Sequence, residues 1–513
     1  MKAKAFRINK LALMPALLII GVLIIYRPVI RYCFIGDDWV YLNIFTGING
    51  WGGIKSLFLT CDHIASYRPL AHLFALMLYN LFGSKHIVFN ISVLLIHCIN
   101  SLLVVFIVKK IINKDMIAWA TGFLYAFAVN ILIYTMVWSL TGHQETLGAL
   151  FLYAGIALFL NKKFTLSAAA YLLAVLSKPS AFILFFIILV LFILDDENKK
   201  RFWVNVFKKL PLHFIIGVVY LIFSVNNVFI SHPPPQMIKL SLWGPHLFDK
   251  FLWYISLIPR AILPSGSAQV IFVVYALLAM LFFVALRQKG KQRSGENDRG
   301  NYQAAFWAAW FLLGLIPPCI IAEDKVNAYY LTYSLCPLIV LFLIFVRYVV
   351  RLFFDERAFR WIAAGLVLIS FISGSLYLRA RDREGVESKE MMIRGAYIVE
   401  DFKEKLIQRY PALPQGAVII LPDEALYWYL GGPVSALRIW YHDPTLMVSR
   451  VENPAEIISP LNDKISILVP EEDLIRYRNL FPGEQVYAVI TDGQKLILIK
   501  VNPKRIVAKI NYY

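Results

Sequence analysis

Apolar residues fill this chain in long blocks, and polar positions are confined to short interruptions between them. A membrane span needs about 20 apolar residues. On that measure the blocks predict spans near 11–30, 87–108, 116–138, 146–161, 164–178, 180–194, 211–230, 270–286, 304–322, 329–347 and 361–378. Two of them meet at Lys178-Pro179. Proline removes a backbone donor and bends a helix, so this pair reads as two short spans or as one kinked, partly re-entrant hairpin. Ahead of the second span, 69–83 has apolar residues at helical spacing and no charge, the pattern of a helix lying in the interface. Beyond about 379 charges become frequent and turn signals appear, such as Leu413-Pro414-Gln415-Gly416 and Asp492-Gly493. Val418–Leu421, Ser466–Val469 and Lys495–Ile499 read as short buried strands, and 388–409 has helical spacing. The pattern therefore predicts a polytopic α-helical membrane protein of about eleven spans over 1–378, followed by a small α/β domain over 379–513.

Composition agrees. Of 513 residues 59% are hydrophobic and only 16% charged, against about a quarter charged in soluble domains. The formal charge of +18 is explained by short Lys/Arg clusters between apolar blocks, the positive-inside bias, and does not call for nucleic acid. Lys2, Lys4, Arg7 and Lys10 precede the first span, which is too long for a secretory signal and lacks a small-residue cleavage site. It is expected to stay as an anchor with its N-terminus in the cytoplasm. The clusters at Lys109, Lys110 and Lys114, at Lys162 and Lys163, at Lys199 to Arg201, at Arg287 to Arg293 and at Arg347 to Arg360 then share that side. This leaves 31–86, 139–145, 231–269, 323–328 and the tail outside. The one Asn-X-Ser sequon, at Asn90, falls inside a span; a bacterial inner membrane with the tail in the periplasm is the expected setting.

The outer loops hold the candidate chemistry. Gly36-Asp37-Asp38-Trp39 lies just past the first span, where adjacent carboxylates are costly unless water, a metal or a cation meets them. Asp62-His63 and Tyr67-Arg68-Pro69-Leu70 follow in the same loop, then Thr141-Gly142-His143-Gln144-Glu145 in the next outer turn. Ser177-Lys178-Pro179 presents an ammonium at that face, and Glu323-Asp324-Lys325 leads into Tyr329-Tyr330. Each has an ordinary alternative. His143 can satisfy backbone carbonyls, Glu145 can cap a helix, Lys178 can snorkel, Arg68 can anchor to headgroups, and Glu323 can pair with Lys325. Their collection on one face favours a shared site. The five cysteines show no metal-ligand spacing; Cys98, Cys319 and Cys336 read as small apolar residues in spans, and Cys33 and Cys61 share the first loop, where a disulfide is open.

In this order the motifs resemble those of the GT-C glycosyltransferases, multi-span enzymes that use polyprenyl-phosphate sugars, and look closest to the branch of protein O-mannosyltransferases and their tetratricopeptide-linked relatives. The resemblance rests on Gly36-Asp37-Asp38, Tyr67-Arg68-Pro69-Leu70, Ser139 to Phe151 around Gly142 and Glu145, Leu176-Ser177-Lys178-Pro179, and Ala322-Glu323-Asp324-Lys325 with Tyr329-Tyr330. It covers most of 1–350. Two features depart from it: His143-Gln144 stands where relatives often carry a basic residue before the glutamate, and tetratricopeptide repeats are replaced by the α/β tail. The resemblance implies sugar transfer from a polyprenyl-phosphate donor to a hydroxyl of a glycan, lipid or protein. In that scheme Lys178 and Arg68 meet the lipid phosphate, and Asp37 is the base. Asp38 orients Asp37, holds a sugar hydroxyl or binds a metal. His143, Glu145, Glu323, Asp324, Tyr329 and Tyr330 contact substrate, and a divalent cation shared by Asp37 with Glu145 and Glu323 stays open. The rival readings are an O-antigen polymerase or ligase and a lipid-linked sugar transporter. A transporter would put charges near the midplane and often show two similar halves; a polymerase or ligase would put its key residues in large, late, Arg-rich outer loops.

Overall fold

The computed structural model describes residues 10–59, 67–194, 202–224, 244–257, 260, 297–319, 328–413, 418–421, 428–431, 435–450, 467–469, 486–492, 495–501 and 506–508. It divides into two compact units: Met1–Arg31, Ile54–Leu78 and Val88–Ala380 form one, and Tyr32–Gly53, Tyr79–Ile87 and Arg381–Tyr513 the other.

Helices run α1 Lys10–Ile25, α2 Asp37–Thr46, α3 Gly50–Leu59, α4 Pro69–Phe82, α5 His86–Ile112, α6 Asp115–Ala126, α7 Val129–Val137, α8 Ser139–Leu160, α9 Phe164–Ser177 and α10 Ile183–Leu194. Further helices cover Phe202–Lys209, Pro211–Ser224, Pro245–Ser256, Asn297–Cys319, Thr332–Phe353, Glu356–Glu384, Met391–Arg409 and Ser435–Tyr441. Among the described residues His86–Ile112, Ala328–Phe353 and Glu356–Glu387 are long and apolar enough to cross a membrane, and α6 with α7 makes a fourth if the bent pair is one span. Shorter apolar helices include Phe164–Ser177, Pro179–Leu194 and Pro211–Phe223. The predicted span 270–286 lies outside the described residues.

The expected span 116–138 is broken: α6 and α7 meet at 51°. Phe127, in the break, fills the face of α1 where Gly21 has no side chain; a Cβ there would stand 2.6 Å from its ring. The break frees the Ala126 carbonyl, and buried His97 donates to it from Nε2 at 3.1 Å. A neighbouring side chain thus satisfies a backbone group that lipid cannot. The sequence 139–145, expected as an outer turn, is helical instead and begins α8, with residues 139–149 all buried. Ser139 donates to Asn90 Oδ1, and Asn90 Nδ2 donates in turn to the Val29 carbonyl at 2.9 Å.

In the second unit, strands at Val418–Leu421, Met447–Arg450, Val486–Asp492 and Lys495–Val501 form one sheet. Val418–Leu421 pairs in parallel with Met447–Arg450 and with Val486–Asp492, and the last two strands run antiparallel. Ile467–Val469 pairs in parallel with Ile506–Ala508. The helices Met391–Arg409 and Ser435–Tyr441 carry buried apolar faces, including Ile393, Val399, Phe402 and Leu437.

Candidate active site

The sequence-predicted residues fall into two groups, one in each unit. In the first, the organising element is the break after α9. Proline keeps its predecessor out of the helical region, and Lys178 is extended, at φ −153° and ψ 123°. Its N–H still donates to Ala174 at 2.9 Å, and its carbonyl accepts from Ala181 at 3.0 Å. The turn is therefore bonded on both sides. From it the Lys178 ammonium reaches Glu145 Oε1 at 2.6 Å, with 14% of the lysine side chain and 2% of the glutamate side chain exposed. Gly148, one turn after Glu145 on α8, allows the approach. A Cβ there would lie 2.3 Å from the Tyr333 hydroxyl and 2.9 Å from Lys178 Cβ.

Arg68 is buried and donates from Nη1 to Gln144 Oε1. Its neighbour Tyr67 is fixed by donation to the Phe58 carbonyl at 3.0 Å and by a ring contact with Phe223 at 4.7 Å. Gln144 and Glu145 are consecutive, so one turn of α8 holds both cations expected at the donor phosphate. The Tyr329 ring lies tilted against those of Tyr330, at 4.4 Å, and Tyr134, at 6.4 Å. His143 is fully buried; it pairs with Ser92 through Nε2 and sits against Phe74 and Phe89. Glu323 and Asp324 lie outside the described residues.

Sequence reasoning passed over Gln144 and Tyr333. The signal available for Gln144 was its adjacency to Glu145; Tyr333 is brought to Gly148 only by the fold. The same unit has an open apolar groove of about 490 Å³, bordered by Val190, Phe251, Leu312, Ile316 and Cys319.

The second group is the acidic turn. Gly36, at φ 55° and ψ −127°, is the N-cap of α2, in a conformation open to glycine and strained for other residues. Asp37 and Asp38 form the first helical turn, where the helix dipole favours negative charge. The two differ: Asp37 is partly exposed and Asp38 is fully buried. Trp39 packs edge-on against Phe34 at 5.4 Å and Trp440 at 5.4 Å. Cys33 is a free thiol, buried, and donates to the Ala396 carbonyl at 2.9 Å; Cys61 lies outside the described residues. Burial pushes the Cys33 thiol far up from its ordinary value, with Glu400 and Asp38 adding to the shift and Lys403 opposing it. Among the described residues no three His, Cys, Asp or Glu side chains gather as a metal site.

No family model and no curated protein matches the chain. Solved structures do. The chain is similar to ArnT from Cupriavidus metallidurans bound to undecaprenyl phosphate, at 13% identity and a TM-score of 0.53, covering 94% of this chain and 93% of that one. ArnT from the same organism in the apo state matches at 13% identity and a TM-score of 0.38, over 94% and 92%. The likeness to the bound form shows the fold of ArnT and carries nothing for the O-mannosyltransferase branch. With its apolar helices, the chain is an integral membrane protein that shares the fold of ArnT.

Proposed function

We propose that the chain is an inverting glycosyltransferase that moves a hexosyl or pentosyl group from a polyprenyl-phosphate donor to a hydroxyl of a glycan, lipid or protein. The reaction takes place at the outer face of a bacterial inner membrane, with the α/β tail on that side. The supporting observation is the capture of two cations, Lys178, partly buried, and Arg68, buried, by consecutive residues of one helix, within a fold shared along almost the whole chain with a protein solved bound to undecaprenyl phosphate.

In this reading the acceptor oxygen attacks the anomeric carbon, the bond from that carbon to the phosphate oxygen breaks, and the lipid phosphate leaves with the electron pair. Fixed cations stabilise the charge that grows there. Arg68 offers a planar fork and Lys178 a point charge, and Gln144 and Glu145 hold them in place beforehand. The acceptor proton goes to Asp37, the more exposed carboxylate of the pair; Asp38, buried behind it, orients the turn. Tyr329 and Tyr330 offer rings, and His143, Glu145, Glu323 and Asp324 polar groups, to the sugars.

The test is transfer by the purified full-length protein from a panel of undecaprenyl-phosphate sugars to glycan, lipid and peptide acceptors, followed by mass spectrometry of the products. Formation of one glycosylated product with release of undecaprenyl phosphate is the expected result. Saturable donor binding with no transfer to any acceptor class would favour a carrier of the lipid-linked sugar instead.

A further inference from the structure

The acidic turn is held by a distant part of its own unit. Gly36 N–H donates to the Tyr429 carbonyl at 2.8 Å. Two residues on, Gly431 adopts φ 78° and presses its bare Cα against the same turn. A Cβ on Gly431 would stand 2.6 Å from the Gly36 carbonyl oxygen, 2.7 Å from Trp39 Cβ and 3.1 Å from the Val40 backbone nitrogen. Two of these are backbone atoms, which cannot swing aside as a side chain can. Tyr429 is itself seated by a third glycine: a Cβ at Gly395 would lie 2.5 Å from its ring. The Tyr429 hydroxyl accepts from Arg394 at 3.4 Å. The approach to the turn is fixed to the same helix, Met391–Arg409. Cys33 donates to Ala396, and Tyr32 and Tyr397 both donate to Asp382 Oδ1, at 2.9 and 2.8 Å. Side chains before Gly36 and backbone at and after it are thus tied to residues 382–431.

We propose that Trp428–Gly431 is a strap that sets the position of Asp37, and that Gly431 is a positioning residue for sugar transfer. Where it concerns Asp37 this rests on the reading above; the strap itself does not. A base must sit within hydrogen-bond reach of the proton it takes, and a displacement of about 1 Å at a reacting group can cost about 100-fold in rate. A methyl group on Gly431 cannot be accommodated without moving the Gly36 carbonyl, one peptide away from Asp37. The tail after 379 is then part of the catalytic machinery, not an appended module.

Two variants of the full-length protein test this, Gly431→Ala and Gly395→Ala. The second sits inside a helix, where alanine is the better helix former, and acts by pushing the Tyr429 ring. The first readout is maleimide labelling of Cys33, followed by peptide mass spectrometry. The wild-type thiol should be protected, and loosening the strap should raise its labelling rate by about tenfold or more through local opening. The second is kinetic. Turnover should fall by about tenfold or more while donor KM stays within about twofold. Combined with Asp37→Asn, Gly431→Ala should slow the enzyme no further, because residues acting as a unit are not additive.

Unchanged Cys33 labelling in both variants overturns the strap. Losses that multiply with Asp37→Asn overturn the positioning role. If Gly431→Ala does not fold, Gly395→Ala decides both points by the same readouts. If the wild type transfers no sugar from any polyprenyl-phosphate donor, the reaction assigned above fails, and the labelling alone decides the strap.

Discussion

The two polar groups of this protein are built on opposite principles. In the first unit, charged side chains are held by side chains: Lys178 by Glu145, and Arg68 by Gln144. In the second, the acidic turn is held by backbone and ring contacts, from Gly36 to the Tyr429 carbonyl, Gly431 against Gly36, and Trp39 against Trp440. The first arrangement stores charge in an apolar surrounding, where each ion depends on its partner. The second fixes a position and leaves one carboxylate, Asp37, partly exposed. The one suits the binding of a charged group, and the other suits placing a base. Substitutions that change charge should therefore break the first group, and substitutions that change chemistry or shape should break the second.

The largest effect is expected at Asp37. Asp37→Asn keeps size and removes the charge, and loss of a general base costs about 10²–10⁴-fold in turnover, with donor affinity retained. Asp38→Asn is the control: buried as Asp38 is, its loss should appear in thermal stability as well as in rate. Wild-type turnover in the Asp37 variant, with a dead Asp38 variant of normal stability, would exchange their roles. Full activity in both would reduce the pair to a helix end.

Next comes the ion pair of Lys178, partly buried, with Glu145, buried. Lys178→Met leaves Glu145 charged and alone, and removal of one partner from a buried pair costs about 3–5 kcal/mol. Thermal or denaturant unfolding should show that loss. Lys178→Met combined with Glu145→Gln should recover most of the stability but not the turnover, because the phosphate still lacks its cation. If the double variant regains both, Lys178 serves packing alone and the donor phosphate is met elsewhere.

How much of this was legible in the sequence follows from the same contrast. Lys178 and Glu145 are visible because charges in apolar blocks stand out, and Pro179 announces the break that frees Lys178 from the helix. Gln144 is less visible, since a neutral amide in a helix carries no such signal. In the second group Gly36-Asp37-Asp38 is conspicuous, but its supports are a carbonyl, a glycine and tryptophans whose identities say nothing of their targets. The Cys33 to Ala396 bond spans 363 positions, and no local pattern encodes such a pairing. The same holds for the broken span at 116–138. Its composition is that of a continuous helix, and the contacts that accommodate the break, Phe127 seated at Gly21 and His97 bonding the freed carbonyl, are both long-range. The helical start of α8 was hidden for a related reason. Polar residues at 139–145 mimic a solvent-facing turn, whereas they are buried against Asn90, Ser92 and Arg68.

A smaller effect tests whether Gln144 belongs to the donor site. A hydrogen bond to a charged group contributes about 1.5–3 kcal/mol, so Gln144→Leu should raise the donor KM by roughly 10–150-fold, leaving turnover at saturation close to wild type. Gln144→Asn, with a shorter reach, should fall between. A change in turnover with donor KM unaltered would detach Arg68 and Gln144 from phosphate binding.

The smallest effect belongs to the second unit and reads its burial directly. Cys33 ionises far less readily in the folded protein than its ordinary value of 9.0, chiefly because it is buried, with Glu400 and Asp38 adding to the shift and Lys403 opposing it. The folded state thus keeps the proton that the unfolded chain releases. A raised pKa gives a contribution that is complete below the unfolded value and lost as pH rises through it towards the folded one. Acidification should therefore not touch this contribution, and alkali should erode it. From about pH 9 upward the wild type should lose stability relative to Cys33→Ser, by roughly 1 kcal/mol over the first pH unit and more beyond it. Serine supplies the same kind of donor to the Ala396 carbonyl without titrating in that range, so the difference between the two curves isolates the thiol from every other group. Parallel curves up to pH 10.5 or so would mean that Cys33 reaches solvent in the folded state, and that the turn leading to Gly36 is looser than the contacts from Ala396 to Gly431 require.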